Sequence, residues 1–108
     1  MPGGRRRRGR YRGRRWITEI PDQTFFQPRG LTPWQTNVIT ITLEELEALR
    51  LVDFQGHEQE DAAALMGVSR KTLWNDLKSA RKKVATALIK GYAIQIEGGN
   101  YALRGEVW

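Results

Sequence analysis

The sequence predicts a mainly α-helical fold, a small domain of three helices whose last two form a helix-turn-helix, with short extended segments and a disordered basic N-terminal arm. Three observations carry that expectation. Gly67-Val68-Ser69 interrupts two helical patterns, Thr42-Leu43-Glu44-Glu45 has the form of a capping box, and eight of the first 15 residues are Arg with no acid among them. The divisions that follow are an arm over 1–15, an aromatic and proline-rich segment over 16–42, a helical core over 43–90 and a short extended segment over 91–108.

The turn comes first because it sets the rest. Gly reverses the chain at a helix end and Ser is a favoured cap for the next helix, so one helix stops at Gly67 and another starts at Ser69. Before the turn, Ala62, Ala63, Leu65 and Met66 supply a small apolar surface, with Ala63 where two helices would cross most closely. After it, Leu73, Leu77, Ala80, Val84, Ala87 and Leu88 recur at helical spacing and gather into an arc of roughly 100°. Lys71, Asn75, Lys78 and Lys82 fall opposite that arc, with Arg70, Trp74 and Arg81 to one side.

This outward face is basic, and Arg and Asn can each make paired hydrogen bonds to base edges. The face therefore points to double-stranded DNA, with Arg70, Lys71, Thr72, Trp74 and Asn75 placed for base contact and Lys78, Arg81, Lys82 and Lys83 for phosphates. An ordinary solvated face is the competing reading, against which the turn and the alanine-rich helix before it weigh. Trp74 fits either a thymine methyl or sugar, or packing on the N-terminal segment.

Upstream, the arm carries Arg5, Arg6, Arg7, Arg8, Arg10, Arg12, Arg14 and Arg15 interleaved with Gly. Such a segment cannot bury enough surface to order itself, and it neutralises phosphates or enters a narrow minor groove. A solubilising tail and an RNA-binding segment are the alternatives. Trp16, Ile17, Ile20, Phe25, Phe26 and Trp34 are expected to fold over the helices as extra core, in preference to lining a ligand pocket. The alternating, β-branched stretch from Asn37 to Thr42 reads as extended. The capping box then starts a helix over about 43–54, with Leu46, Leu49 and Val52 as its stripe and Gly56 as its end. Beyond Gly91, which closes the long helix, residues 92–97 alternate as a strand able to pair with 37–41.

Composition removes several classes. Ten basic side chains remain outside the arm against 12 acids, so the body has a formal charge of −2 and the high pI belongs to the arm. With no Cys and one His, a disulfide framework, a thiol nucleophile and a Cys or His metal cluster are excluded, and no cofactor is expected. Glu58, Glu60 and Asp61 suit a helix N-terminus better than a catalytic pair, and His57 suits an inter-helix turn, so no enzyme is expected. No apolar run reaches the roughly 18 residues of a membrane span, and the arginines are not followed by the apolar region that a signal peptide needs, so a cytoplasmic, nucleoid-associated location is the expectation.

With Phe26-Gln27-Pro28-Arg29-Gly30, the run from Ile41 to Asp53, Met66-Gly67-Val68-Ser69-Arg70, the run from Ser79 to Ala85 and Ile96-Glu97-Gly98-Gly99 in view, the chain resembles the prokaryotic domain-of-unknown-function 134 family. The resemblance spans about Arg15 to Gly99 and implies a helix-turn-helix like region 4 of the main sigma factors, with DNA bound by the helix after Ser69. Members of that family often carry N-terminal Cys, which this sequence lacks, and some continue into a domain like the iron–molybdenum cofactor binders, which is not expected here. Glu58 replaces a usual Ser, and Asp76 stands where relatives have an apolar residue and needs a partner, for which Arg50 is a candidate. A sequence-specific regulator, dimeric on a palindrome, is the leading expectation. The alternatives are an RNA polymerase-docking module, using the acids Glu44, Glu45 and Glu47, and an arm-driven RNA or nucleoid binder.

Overall fold

The computed structural model describes residues 14–104, so the expectations for Arg5, Arg6, Arg7, Arg8, Arg10 and Arg12 lie outside the described residues. Five short strands frame the chain: β1 (Arg15–Ile17), β2 (Phe25–Phe26), β3 (Val38–Ile41), β4 (Ala93–Ile96) and β5 (Tyr101–Leu103). β3 and β4 pair in parallel, Val38 opposite Ala93 and Ile41 opposite Ile96, which is the pairing the two alternating stretches suggest. β2 lies antiparallel on the other side of β4, and β1 pairs in parallel with β5. The three α-helices of the described residues lie between β3 and β4 in the chain.

Thr42 starts the first helix through a reciprocal cap. Its hydroxyl accepts from the Glu45 N–H at 3.2 Å, and the Glu45 carboxylate accepts from the Thr42 N–H at 3.0 Å. This helix, α1 (Leu43–Ala48), continues without a break into a wider π-wound segment, Leu49–Phe54, where the Gln55 N–H donates to the Arg50 carbonyl five residues back. The span agrees with the expected helix over 43–54, but the stripe does not. Leu43, Glu45, Glu47, Ala48 and Leu51 are buried, whereas Leu46, Leu49 and Val52 are half-buried. The reason is that α1 packs on both β1 and the third helix, so two sides are covered where a one-stripe pattern allows for one.

The second helix, α2 (Gln59–Met66), ends at Gly67, whose φ of +71° is a conformation that L side chains rarely adopt, and the Val68 N–H returns to the Ala63 carbonyl. The third, α3 (Arg70–Lys90), starts at Ser69, whose hydroxyl accepts from the Thr72 N–H at 3.1 Å. Ala48, Leu51, Ala62, Ala63, Met66, Leu73 and Leu77 form one core among the helices, and Ile17, Leu43 and Ile96 form a second beneath the strands.

Two expectations about burial are corrected. Of the six side chains expected as extra core, only Ile17 is fully buried; Trp16 and Phe25 are half-buried, Ile20 and Phe26 are exposed, and Trp34 is 84% exposed. The sheet core is filled instead by aliphatic side chains from the strands, Ile17, Ile41, Ile96 and Ala102. On α3, Leu73, Leu77, Ala80 and Ala87 are buried, but Val84 is half-buried and Leu88 is 76% exposed. With 21 residues against eight in α2, α3 outruns its helical neighbour, and its last turn meets solvent.

Glu47 on α1 is a fully buried acid, 1% exposed. It accepts from Thr18 Oγ1 at 2.7 Å, Arg104 Nη2 at 2.9 Å and Arg50 Nε at 3.1 Å, and Arg104 also donates to the Leu65 carbonyl at the end of α2. Removing a buried acid while its cations stay is costly, so Glu47→Ala should lower the unfolding free energy by about 3–5 kcal/mol in urea denaturation. Gly99, with a φ of +112°, sits against Glu44, whose carboxylate accepts from the Asn100 N–H at 3.1 Å, and a Cβ there would fall 1.9 Å from Glu44 Oε1. Gly99→Ala should therefore cost about 1–3 kcal/mol in the same measurement, from backbone strain and the displaced carboxylate.

Candidate nucleic-acid interface

α3 presents a face whose charge has one sign. Arg70, Lys71, Trp74, Asn75, Lys78, Arg81 and Lys82 are all exposed, while Asp76, the one acid in the helix, is turned inward and half-buried. Among the described residues no ion pair engages Arg70, Lys71, Lys78 or Lys82. Trp74 is 39% exposed and lines a shallow hollow with Gln59, Arg70 and Lys71. Gln59, from the first turn of α2, is a member of this surface that the sequence reading missed. Its spacing gives no such signal, because only the crossing of α2 over α3 brings it there.

Three of the expected contact residues have partners within the fold. Thr72 is held in the helix cap, its N–H donating to Ser69 Oγ and its hydroxyl accepting from the same atom at 3.1 Å, so it is half-buried. Lys83 donates to Glu45 Oε1 at 2.8 Å and to the Thr40 carbonyl at 2.9 Å, which ties α3 to α1 and β3 and withdraws its ammonium from the basic face. Arg81 makes a two-pronged pair with Asp53, at 2.7 and 3.0 Å; both side chains remain substantially exposed. The Arg81 hydrogen bonds hold the Asp53 carboxyl below its ordinary value, and the pair raises Arg81 in return.

The partner of Asp76 is also corrected, and with it the arm boundary. Arg15, expected in the arm, stands in β1 with its N–H on the Asn100 carbonyl, and its guanidinium donates to both Asp76 oxygens at 3.1 and 3.3 Å. Arg50, the expected partner, is instead paired with Glu47. Burial pushes the Asp76 carboxyl above its ordinary value against the Arg15 hydrogen bonds, with Glu44 and Glu45 adding to the rise. The acidic outer face expected on α1 is not presented either: Glu45 and Glu47 are buried and Glu44 holds the Asn100 N–H.

Glu45 behaves oppositely to Asp76. Burial pushes its carboxyl up, but hydrogen bonds from Lys83, Ser79 and the Thr42 backbone together outweigh it and leave it below the ordinary 4.5. Its contribution to stability is thus present above about pH 4.5 and lost as pH falls through the lowered value. Protonation of Asp76, whose value is raised, favours the fold, so its contribution is full below the ordinary 3.8 and lost as pH rises through the folded value. In Lys83→Met the Glu45 carboxyl should titrate higher by carboxyl-carbon NMR, and the loss of stability on acidification should become shallower. An unchanged Glu45 titration would remove Lys83 from this role.

Among the described residues no helix is long and apolar enough to cross a membrane. The family model described as "Protein of unknown function DUF134" matches residues 5–104. A UPF0251 protein of Methanosarcina acetivorans is 56% identical over 94 residues, covering 87% of this chain and 84% of the relative. Another, from Methanococcus vannielii, is 51% identical over 98 residues, 91% of this chain and 75% of its own. A third, from Caldanaerobacter subterraneus, is 47% identical over 92 residues, 85% of this chain and 78% of its own. No solved structure matches the chain. Most of the chain lies within the family match, and the protein belongs to the DUF134 family.

Proposed function

We propose that this protein is a sequence-specific DNA-binding regulator in which α2, the Gly67–Ser69 turn and α3 act as a helix-turn-helix and the first turns of α3 enter the major groove. The observation that carries the reading is the sidedness of α3: its exposed charges are all basic, and its one acid faces inward onto Arg15. Arg70, Lys71, Trp74 and Asn75 are the base-contacting candidates, with Gln59 beside them. Lys78 and Lys82 are the phosphate-contacting ones, joined by Arg81 where a phosphate displaces Asp53. Thr72 and Lys83 serve the fold.

A single recognition helix touches too few base pairs to select one genomic site, so a dimer on a palindrome follows from the same reading. Selection from a random duplex pool by the full chain, near physiological salt, should enrich one motif with two-fold symmetry. Bulk binding without any enriched motif would replace this reading with non-specific or RNA-directed binding.

Base and phosphate contacts fail differently. Asn75→Ala should cost about 1–3 kcal/mol at one base-pair position and leave other positions unaffected. Lys82→Ala should weaken every sequence alike and lower the slope of log affinity against log salt by about 1. Titrations of both variants over single-base variants of the selected site check these roles; equal behaviour would show them wrongly assigned.

A further inference from the structure

We propose that the last two turns of α3, with Trp34 and Val38 beside them, are the surface through which two copies of this chain pair. The inference rests on the DNA-binding reading for its orientation on a duplex, whereas the pairing of two copies stands on the surface alone.

Leu88 is 76% exposed and Ile89 82% exposed, and Ala85, one turn earlier, is open to solvent as well. At i, i+3 and i+4 these three form one apolar stripe. Thr36 Oγ1 donates to the Gly91 carbonyl at 2.9 Å, and Val38 stands opposite Ala93. The segment that holds Trp34 and Val38, 84% and 45% exposed, is thereby brought to the end of α3. Residues 84–89 carry no charge, and Lys90 lies about 150° round the helix from the middle of the stripe.

The size of the patch fits a second copy. At up to ~250 Å² for an aromatic side chain and ~120 Å² for an aliphatic one, the exposed parts of Trp34, Val38, Leu88 and Ile89 offer about 450 Å² of apolar surface. A standard interface takes about 800 Å² from each partner, of which roughly 56% is apolar, again about 450 Å². In a two-fold dimer each patch meets its own kind, so a charged patch repels itself and a neutral one does not. The earlier turns of α3, from Arg70 to Lys82, are basic and unsuited to such pairing; the last two are suited to it.

The same side of α3 changes from basic to apolar along its length. On the helical wheel Lys71, Lys78 and Lys82 fall within about 20° of Ile89. Helices that pair by that side at one end and open at the other can straddle a duplex. Leu88 is 14 residues beyond Trp74, or ~21 Å at 1.5 Å per residue. Two copies joined at their last turns therefore hold their first turns up to ~42 Å apart, a span that includes the ~34 Å between half-sites one turn apart.

In sedimentation velocity the full-length chain should run as a dimer that dissociates on dilution. Ile89→Glu should run as a monomer with the circular dichroism of the parent, and Leu88→Gln should weaken the dimer. Phe54→Ser, which alters an equally exposed apolar side chain elsewhere, should leave it intact. On the selected palindrome Ile89→Glu should lose the cooperativity of two copies, about 5–150-fold in affinity, and keep the parent's affinity for a single half-site. A parent that is monomeric at every concentration, or a dimer that both α3 variants leave intact, overturns the interface alone when a motif is still selected. If Ile89→Glu unfolds the chain, the parent's thermal midpoint decides: a midpoint that rises with concentration upholds the pairing, and a constant one overturns it, the patch then being covered within one chain. A dimer broken by Ile89→Glu that binds no duplex keeps the interface and overturns the reading of α3.

Discussion

The constraint on which the rest of the structure depends is the neutralisation of Glu47. This carboxylate lies at the meeting point of four parts of the chain: α1 itself, Thr18 just beyond β1, Arg104 just beyond β5, and, through Arg104, the carbonyl end of α2. On the strand side of this point the apolar core is small, with Ile17, Leu43 and Ile96 as its buried cluster. A hydrogen-bonded network at such a point sets relative position more sharply than non-directional apolar contact, because each donor has only one productive geometry. Through Arg104 the end of α2, just before the turn that launches α3, is tied to the same network.

A second consequence is a sorting of charge. Outside the arginine-rich segment the chain has more acids than bases, yet the surface of α3 is basic. The sorting works by turning acids inward: Glu45 is held by Lys83, Ser79 and the Thr42 backbone, Glu47 by two arginines, and Asp76 by Arg15. What remains outside on the first turns of α3 is Arg70, Lys71, Trp74 and Asn75, a surface with a field well above what net charge alone would suggest.

Much of this was legible in the residues. The caps at Thr42 and Ser69, the left-handed glycines at 67 and 91 and the extended character of 37–41 and 92–97 follow from local rules that depend on a few neighbouring side chains; the parallel direction in which the two strands pair does not. The exposed residues of α3 were legible for the same reason, since helical periodicity assigns a face. What escaped was whatever depends on distant parts of the chain. Lys83 and Lys82 are neighbours with identical chemistry, and only the position of Glu45, 38 residues away, separates a structural lysine from an exposed one. Arg15 and Asp76 are 61 residues apart, and Trp34 reads as core until the strands are seen to have filled it.

The parallel pair β1–β5 has a further bearing, on the order in which the molecule assembles. Thr18 and Arg104, which flank that pair, are 86 residues apart, so their contact closes a loop over almost the whole described chain. Loop-closure entropy grows by only about 0.6 kcal/mol per doubling of length, but it must be met before distant contacts return anything. The helices, whose contacts are nearer in sequence, can form first, while Glu47 waits for Thr18 and Arg104. The network that fixes the geometry of the finished domain is therefore among the last parts to close, and the strands that close it belong among the first to open.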